Sequence, residues 1–205
     1  MARIVVSGIT EERDALEAIA LGADALAFVL SESSARCISP REAGRIALRL
    51  PPLLVRVGVF IDESAGRAAE AIWAAGSQVL QFEGGEPPDF CRKFSQPWIK
   101  SFALTPAFDP VVLARYGCTT YRLAVGPGAV SGACWDAAAE ASRFGRIILG
   151  GALAAKDLPE ALARARPYAV EASESVEFAP GKIDIDRLEE FVLAARGAAR
   201  GSGHA

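Results

Sequence analysis

The chain has 205 residues, a hydrophobic fraction of 51% and a net charge of −3 at neutral pH. This length suits one domain with a sizeable core, and the lysines and arginines are spread singly, which argues against a nucleic-acid partner. No apolar run is long enough to span a bilayer, and the N-terminus lacks a signal-peptide layout. We therefore expect a cytoplasmic protein that binds neither nucleic acid nor membrane.

Apolar, β-branched runs recur along the whole chain and predict eight strands. Each run is almost continuously apolar, as in parallel strands that are covered on both faces. The predicted strands are Arg3–Ser7, Asp24–Leu30, Leu54–Ile61, Gln78–Phe82, Trp98–Phe102, Thr119–Ala124, Arg146–Leu149 and Tyr168–Ser173.

Amphipathic stretches between these runs predict helices, and several begin with the usual signals, such as Ser39-Pro40 and Asp157-Leu158-Pro159. The clearest of these stretches are Glu11–Leu21, Pro40–Leu50, Ala65–Ala75, Leu158–Ala165 and Ile183–Ala195.

Eight strand–helix units in about 200 residues favour the α/β class, as a single-domain (β/α)8 TIM barrel. We place the barrel over residues 1–198 and a flexible tail over 199–205. An open doubly wound sheet is the rival, but its dinucleotide-type form carries GxGxxG after the first strand, and Ser7-Gly8-Ile9-Thr10 offers one glycine.

In such a barrel the functional residues follow the carboxyl ends of the strands, and the loops after strands seven and eight commonly hold phosphate. The candidates at these positions are Ser7, Ser31 to Arg36, Asp62, Gln81, Glu83, Phe102-Ala103, Asp136, Gly150, Gly151, Glu171, Ser173, Glu174 and Ser175.

The cysteines and the histidine restrict the chemistry. The single histidine, His204, lies in the terminal GSGHA, and the four cysteines show no metal-binding spacing. We expect free thiols, no metal site and no cofactor. Carboxylates, hydroxyls, thiols or lysine must then carry any proton transfer.

Read in order, the strand ends resemble the phosphoribosylanthranilate isomerase family of tryptophan biosynthesis. IVVSGIT is similar to the family's Lys-Ile-Cys-Gly-Ile-Thr, and LQFEGGEPPDF to its Gln-Leu-His-Gly-Asp-Glu. SGACWD is similar to Thr-Gly-Lys-Thr-Phe-Asp, IILGGAL to the segment with Gly-Gly, and EASESVEFAPGKID to Asp-Val-Ser-Ser-Gly-Val-Glu with its Pro-Gly. The resemblance covers residues 3 to about 195.

The resemblance implies an Amadori rearrangement, in which a ribosylamine opens and its C2 proton moves to give a 1-amino-ketose. It implies Asp136 as the general acid, Arg36 as a substrate contact, and a phosphate cradle at Gly150, Gly151, Ser173 and Ser175. Gln81 and Trp135 are further candidates for substrate binding. Trp135 could stack on a ring of the substrate or serve as a buried capping aromatic, and Asp136 could equally be an ordinary first-turn residue.

The departures from the family pattern cluster at the strand ends. Ser7 stands where the family has its cysteine base, and a serine cannot act as a base without a neighbour that takes its proton. Glu83 replaces a histidine, and it is our candidate for a substitute base beside Asp136. Glu174 and Ser175 replace Ser-Gly, so either Glu174 turns outward or the loop no longer holds phosphate.

Three hypotheses follow. The first is an isomerase acting on a phosphoribosyl-amine, a small sugar-phosphate substrate. The second is a diverged relative that acts on or binds another small anionic ligand. The third, a structural or partner-binding protein, has little support, and the sequence leaves open a monomer or a homodimer.

Overall fold

The computed structural model describes residues 2–128 and 131–201, the last four of these by their backbone only. Eight parallel strands close into a barrel in sequence order, with β8 paired to β1. The predicted (β/α)8 fold is confirmed. The strands are β1 (Arg3–Ser7), β2 (Ala25–Val29), β3 (Val55–Phe60), β4 (Val79–Phe82), β5 (Trp98–Leu104), β6 (Thr120–Val125), β7 (Arg146–Gly151) and β8 (Ala169–Ala172).

Helices surround the barrel. They are α1 (Glu12–Leu21), α2 (Pro40–Ala47), α3 (Ala65–Ala75), α4 (Pro88–Cys91), α5 (Gly132–Ala141), α6 (Leu158–Ala165) and α7 (Ile185–Gly201). The connection after β4 holds only the one-turn α4, and the connection after β5 holds a 3-10 helix, Pro110–Arg115. A two-stranded hairpin of β9 (Glu177–Ala179) and β10 (Lys182–Ile183) follows β8.

The C-terminal helix α7 continues to Gly201, beyond the predicted end of the barrel domain at 198. Residues 202–205 of the predicted tail, with His204, lie outside the described residues, as do residues 129–130 of the glycine-rich segment after β6. No helix in the described part of the chain is long and apolar enough to cross a membrane.

The core has two layers, because successive side chains of a strand point to opposite faces. The larger layer lies between strands and helices and includes Leu26, Phe82 and Trp135. The smaller one fills the barrel interior with short branched side chains such as Val5 and Val57. Positions of the same parity nearer the carboxyl ends of the strands therefore point into the mouth of the barrel.

A buried ion pair between Lys100 of β5 and Glu86 holds the loop between β4 and α4 in place. The Nζ of Lys100 donates to Oε2 of Glu86 at 2.8 Å and to the carbonyls of Phe82 and Gly84, and both charged side chains are only 2% exposed. The other oxygen of Glu86 accepts from the amide of Asp62 at 2.8 Å. Lys100 thus holds the backbone on each side of Glu83.

Replacing Lys100 by methionine should destabilise the protein by about 3–5 kcal/mol, because Glu86 would stay buried without its cation. Urea denaturation measures this loss. The double variant Lys100→Met/Glu86→Gln should recover most of it, since no uncompensated charge is then buried. An equal loss in both variants would contradict the role of the ion pair.

Asp14 of α1 is buried at 8% exposure, and its Oδ2 accepts from the amide of Ile183 at 3.4 Å. Burial raises the pKa of Asp14 above its ordinary value. The unfolded chain therefore ionises at lower pH than the folded one, so this residue lowers stability as the pH rises from about 3.9 through the raised pKa. Asp14→Asn should raise the Tm at pH 7, with a smaller gain at pH 4. An equal gain at both pH values would contradict this account.

Candidate active site

Two strands place an ion pair inside the barrel. Arg122 of β6 donates from Nε to both oxygens of Glu171 of β8, each at 2.9 Å, and from Nη2 to Oε1 at 2.7 Å. Glu171 is fully buried. Burial lowers the pKa of Arg122, but the charges of Glu171 and Glu83 outweigh it and raise the pKa above its usual value, so the guanidinium stays charged.

Gly150 makes room for this pair. A Cβ on Gly150 would lie 3.1 Å from Nε of Arg122 and 3.1 Å from Cβ of Glu171. The register pairs Arg122 with Ile148 and Ala124 with Gly150, so Gly150 lies on the interior face of β7 between the two charged strands. Gly150, which the family resemblance assigns to phosphate binding, therefore packs between these two charged side chains.

Glu83 lies at the edge of this network, where β4 ends. Its Oε1 accepts from Nε2 of Gln81 at 2.8 Å and lies 3.3 Å from Nη1 of Arg122. Gln81 also donates to Glu171 at 3.4 Å, and Ser101 of β5 accepts from Arg122 at 3.1 Å. Glu83 keeps 26% of its side chain exposed, whereas Glu171 has none. Of these two carboxylates, Glu83 is the one that a ligand can reach.

The second arginine of the mouth is Arg36, in the loop after β2. Its Nε donates to both oxygens of Glu177 at 2.9 and 2.8 Å, and its Nη2 lies 2.7 Å from Oε2. Gly8, with φ of +85°, packs beneath this pair, since a Cβ there would lie 2.9 Å from Oε1 of Glu177. The hydrogen bonds that Arg36 donates to Glu177 raise the pKa of Arg36.

Each arginine has a second carboxylate near it. Glu83 lies 3.3 Å from Arg122 and Glu174 lies 4.0 Å from Arg36, and each carboxylate also helps to raise the pKa of the other arginine. Ser7 ends β1 on the same parity as Val5 of the barrel interior and is buried at 6% exposure. The structure therefore brings Ser7, Arg36, Gln81 and Glu83 to one end of the barrel, as the sequence predicts.

Hydroxyl groups join the loops after β7 and β8. Ser173 donates to the carbonyl of Gly151 at 3.0 Å, and Ser175 donates to the carbonyl of Leu153. Gly151 has φ of +82°, and a Cβ there would lie 2.4 Å from the carbonyl oxygen of Val125. The predicted phosphate residues are thus adjacent, although their hydroxyl protons are directed to the backbone.

Two candidate residues do not reach the mouth, and each takes the structural alternative that the sequence left open. Trp135 is fully buried in the layer between strands and helices, and its indole N–H is a buried donor without a hydrogen-bond partner in the described part of the chain. Asp136 is 64% exposed on α5 and accepts from Nη2 of Arg164, on α6, at 2.6 Å. Both side chains belong to the helical layer.

Comparison with known proteins identifies one family. The family model for N-(5'-phosphoribosyl)anthranilate isomerase matches residues 4–194. The isomerase of Trichlorobacter lovleyi is 38% identical over 202 residues, covering 96% of this chain and 98% of the relative. That of Acidithiobacillus ferrooxidans is 39% identical over 202 residues, with the same coverage.

Solved structures give the same result. The phosphoribosyl anthranilate isomerase of Thermotoga maritima superposes with a TM-score of 0.90 at 32% identity and covers 96% of this chain and 100% of its own. An isomerase in complex with reduced 1-(O-carboxyphenylamino)-1-deoxyribulose 5-phosphate has a TM-score of 0.87 at 32% identity, with the same coverage. The chain belongs to the N-(5'-phosphoribosyl)anthranilate isomerase family.

Proposed function

We propose that this protein isomerises N-(5'-phosphoribosyl)anthranilate to the corresponding 1-amino-1-deoxyribulose 5-phosphate. The observation that carries the proposal is the match to one isomerase family over almost the whole barrel, at 34–39% identity to eight relatives of that name. No feature of the mouth, over the residues that the structure describes, favours a different substrate.

The ligand of the related complex indicates what the mouth must accept. That ligand carries a benzoate carboxylate at one end and a phosphate at the other. We assign the phosphate to the adjoining loops of Gly150, Gly151, Ser173 and Ser175, because backbone amides near glycines can approach an anion closely. We assign one oxyanion contact to Arg36. Gln81 contributes by orienting Glu83 at 2.8 Å.

Glu83 is the proposed base. The rearrangement needs a group that takes the proton from C2 of the opened sugar, and a carboxylate within hydrogen-bond reach can do this. Gln81 and Arg122 fix the carboxylate of Glu83, while a quarter of its side chain stays open to the mouth. Ser7 then donates a hydrogen bond to the substrate instead of taking a proton, since a hydroxyl without a neighbouring base is a poor proton acceptor.

The sequence resemblance assigns the acid role to Asp136, and the ion pair with Arg164 on α6 weighs against that role. Trp135 likewise supports the barrel wall from the helical side and does not serve as a stacking surface. We therefore base the proposed proton transfer on Glu83 alone, which takes the proton from C2 as the base and returns a proton to C1 as the acid.

Purified protein should convert freshly made phosphoribosylanthranilate, and expression should rescue a tryptophan auxotroph that lacks this isomerase. A wild-type protein that neither turns over the substrate nor rescues growth would refute the proposed function.

Two carboxylate-to-amide variants test the assignment of the base. Glu83→Gln should lower kcat by about 100-fold or more, because the amide cannot accept the C2 proton. Asp136→Asn is the matched control and should retain kcat within about threefold. Steady-state kinetics measures both, with unfolding curves to confirm that each variant is folded. The reverse pattern, an inert Asp136→Asn and an active Glu83→Gln, would return the essential role to Asp136.

A further inference from the structure

Arg36 uses only part of its guanidinium to hold its buried partner. Nε and Nη2 contact Glu177 between 2.7 and 2.9 Å, and the Glu177 side chain is 4% exposed. The remaining nitrogen, Nη1, lies 4.0 Å from Oε1 of Glu174. Arg36 therefore has one tightly bound carboxylate and one that lies just beyond hydrogen-bond distance.

Glu177 is held firmly by the hairpin that follows β8. The amide of Gly181 donates to its Oε1 at 3.1 Å, and its carbonyl accepts from Nη1 of Arg187 at 2.8 Å. The carboxylate lies against Gly8, where a Cβ would come within 2.9 Å of its Oε1. Glu177 therefore fixes the position and orientation of the Arg36 guanidinium.

Glu174 differs in every one of these respects. Its side chain is 46% exposed, and it opens a three-residue 3-10 helix, Glu174–Val176. An exposed ion pair at 4.0 Å is weak and exchanges readily with other charges. Glu174 comes two residues after the carboxyl end of β8, at the same end of the barrel as Arg36.

We propose that Glu174 is an internal counter-ion of Arg36 that an oxyanion of the ligand displaces, and that Glu177 is the positioning residue that holds Arg36 for this exchange. Glu174 then sets ligand affinity by competing for Nη1. The identity of the ligand rests on the proposed function, but the competition itself does not. Either the carboxylate or the phosphate of the substrate supplies the oxyanion.

The predicted effects of the two glutamates have opposite signs. Removing the charge of Glu174 removes repulsion of an anion a few ångströms away, which corresponds to about 3- to 10-fold tighter binding in a solvated mouth. Removing the charge of Glu177 releases Arg36 from its fixed position, so anion binding should weaken by about fivefold or more. A purely structural role for both residues would not give this reversal.

The experiment measures binding of two probes, anthranilate and inorganic phosphate, by calorimetric titration at low salt. Glu174→Gln should bind at least one probe 3- to 10-fold more tightly than wild type, and Glu177→Gln should bind the same probe more weakly. The responding probe identifies the oxyanion. Glu160→Gln is the matched control, because it removes one charge on α6, where Glu160 pairs with Arg164.

Unchanged affinity for both probes in Glu174→Gln, or a gain no larger than that of Glu160→Gln, would overturn the proposal. So would a mouth that binds neither probe in either protein. If Glu177→Gln does not fold, Glu174→Gln alone decides the question. Because binding is measured without turnover, a protein that lacks isomerase activity but shows the tighter binding would refute the proposed function and leave this inference intact.

Discussion

The ion pair between Arg122 and Glu171 determines which side chains can line the mouth of this barrel. Two charged groups in a low-dielectric interior are tolerated only when they are paired and hydrogen-bonded, and here three contacts of 2.7–2.9 Å join them. The pair spans from β6 to β8, so β7 must pass between them without a side chain, and Gly150 satisfies that requirement. The consequence is a polar upper layer inside the barrel, above a lower layer of valines, alanines and isoleucines.

That polar layer explains why Glu83 can be both ordered and accessible. Gln81 donates to Glu83 and to Glu171, so it links the exposed carboxylate to the buried one. From the other side of the sheet, Lys100 holds the carbonyls before and after Glu83. The side chain and the backbone of Glu83 are therefore fixed independently, as the proton transfer proposed for this residue requires.

The strands and their order could be predicted because buried parallel strands are almost continuously apolar, and the structure keeps all eight within a few residues. Which residues of each helix face the barrel was harder to predict. Because α5 begins at Gly132, its 3.6-residue period places Cys134, Trp135 and Ala138 on the buried face and leaves Asp136 on the exposed face. A comparison of motifs alone does not show where the helix begins, so it does not show which way Asp136 faces. Arg122 and Lys100 were missed because both lie within strands rather than after them. A charged residue in an otherwise apolar run was the available signal, since such a residue must find a buried partner.

The charged side chains at the mouth are paired in the same way around both arginines. Each of the two arginines has one buried carboxylate, Glu171 or Glu177, and one exposed carboxylate, Glu83 or Glu174. The buried carboxylates neutralise the guanidinium groups and fix them, so they are not available to a ligand. The exposed carboxylates can interact with a ligand, and they differ in how they are held. Glu83 is fixed by Gln81, which suits the proposed proton transfer. Glu174 is loosely held, which suits its proposed displacement from Arg36 by an oxyanion of the ligand. An anionic substrate therefore enters a mouth whose positive charges are already partly satisfied. Its affinity depends on what it displaces as much as on what it contacts.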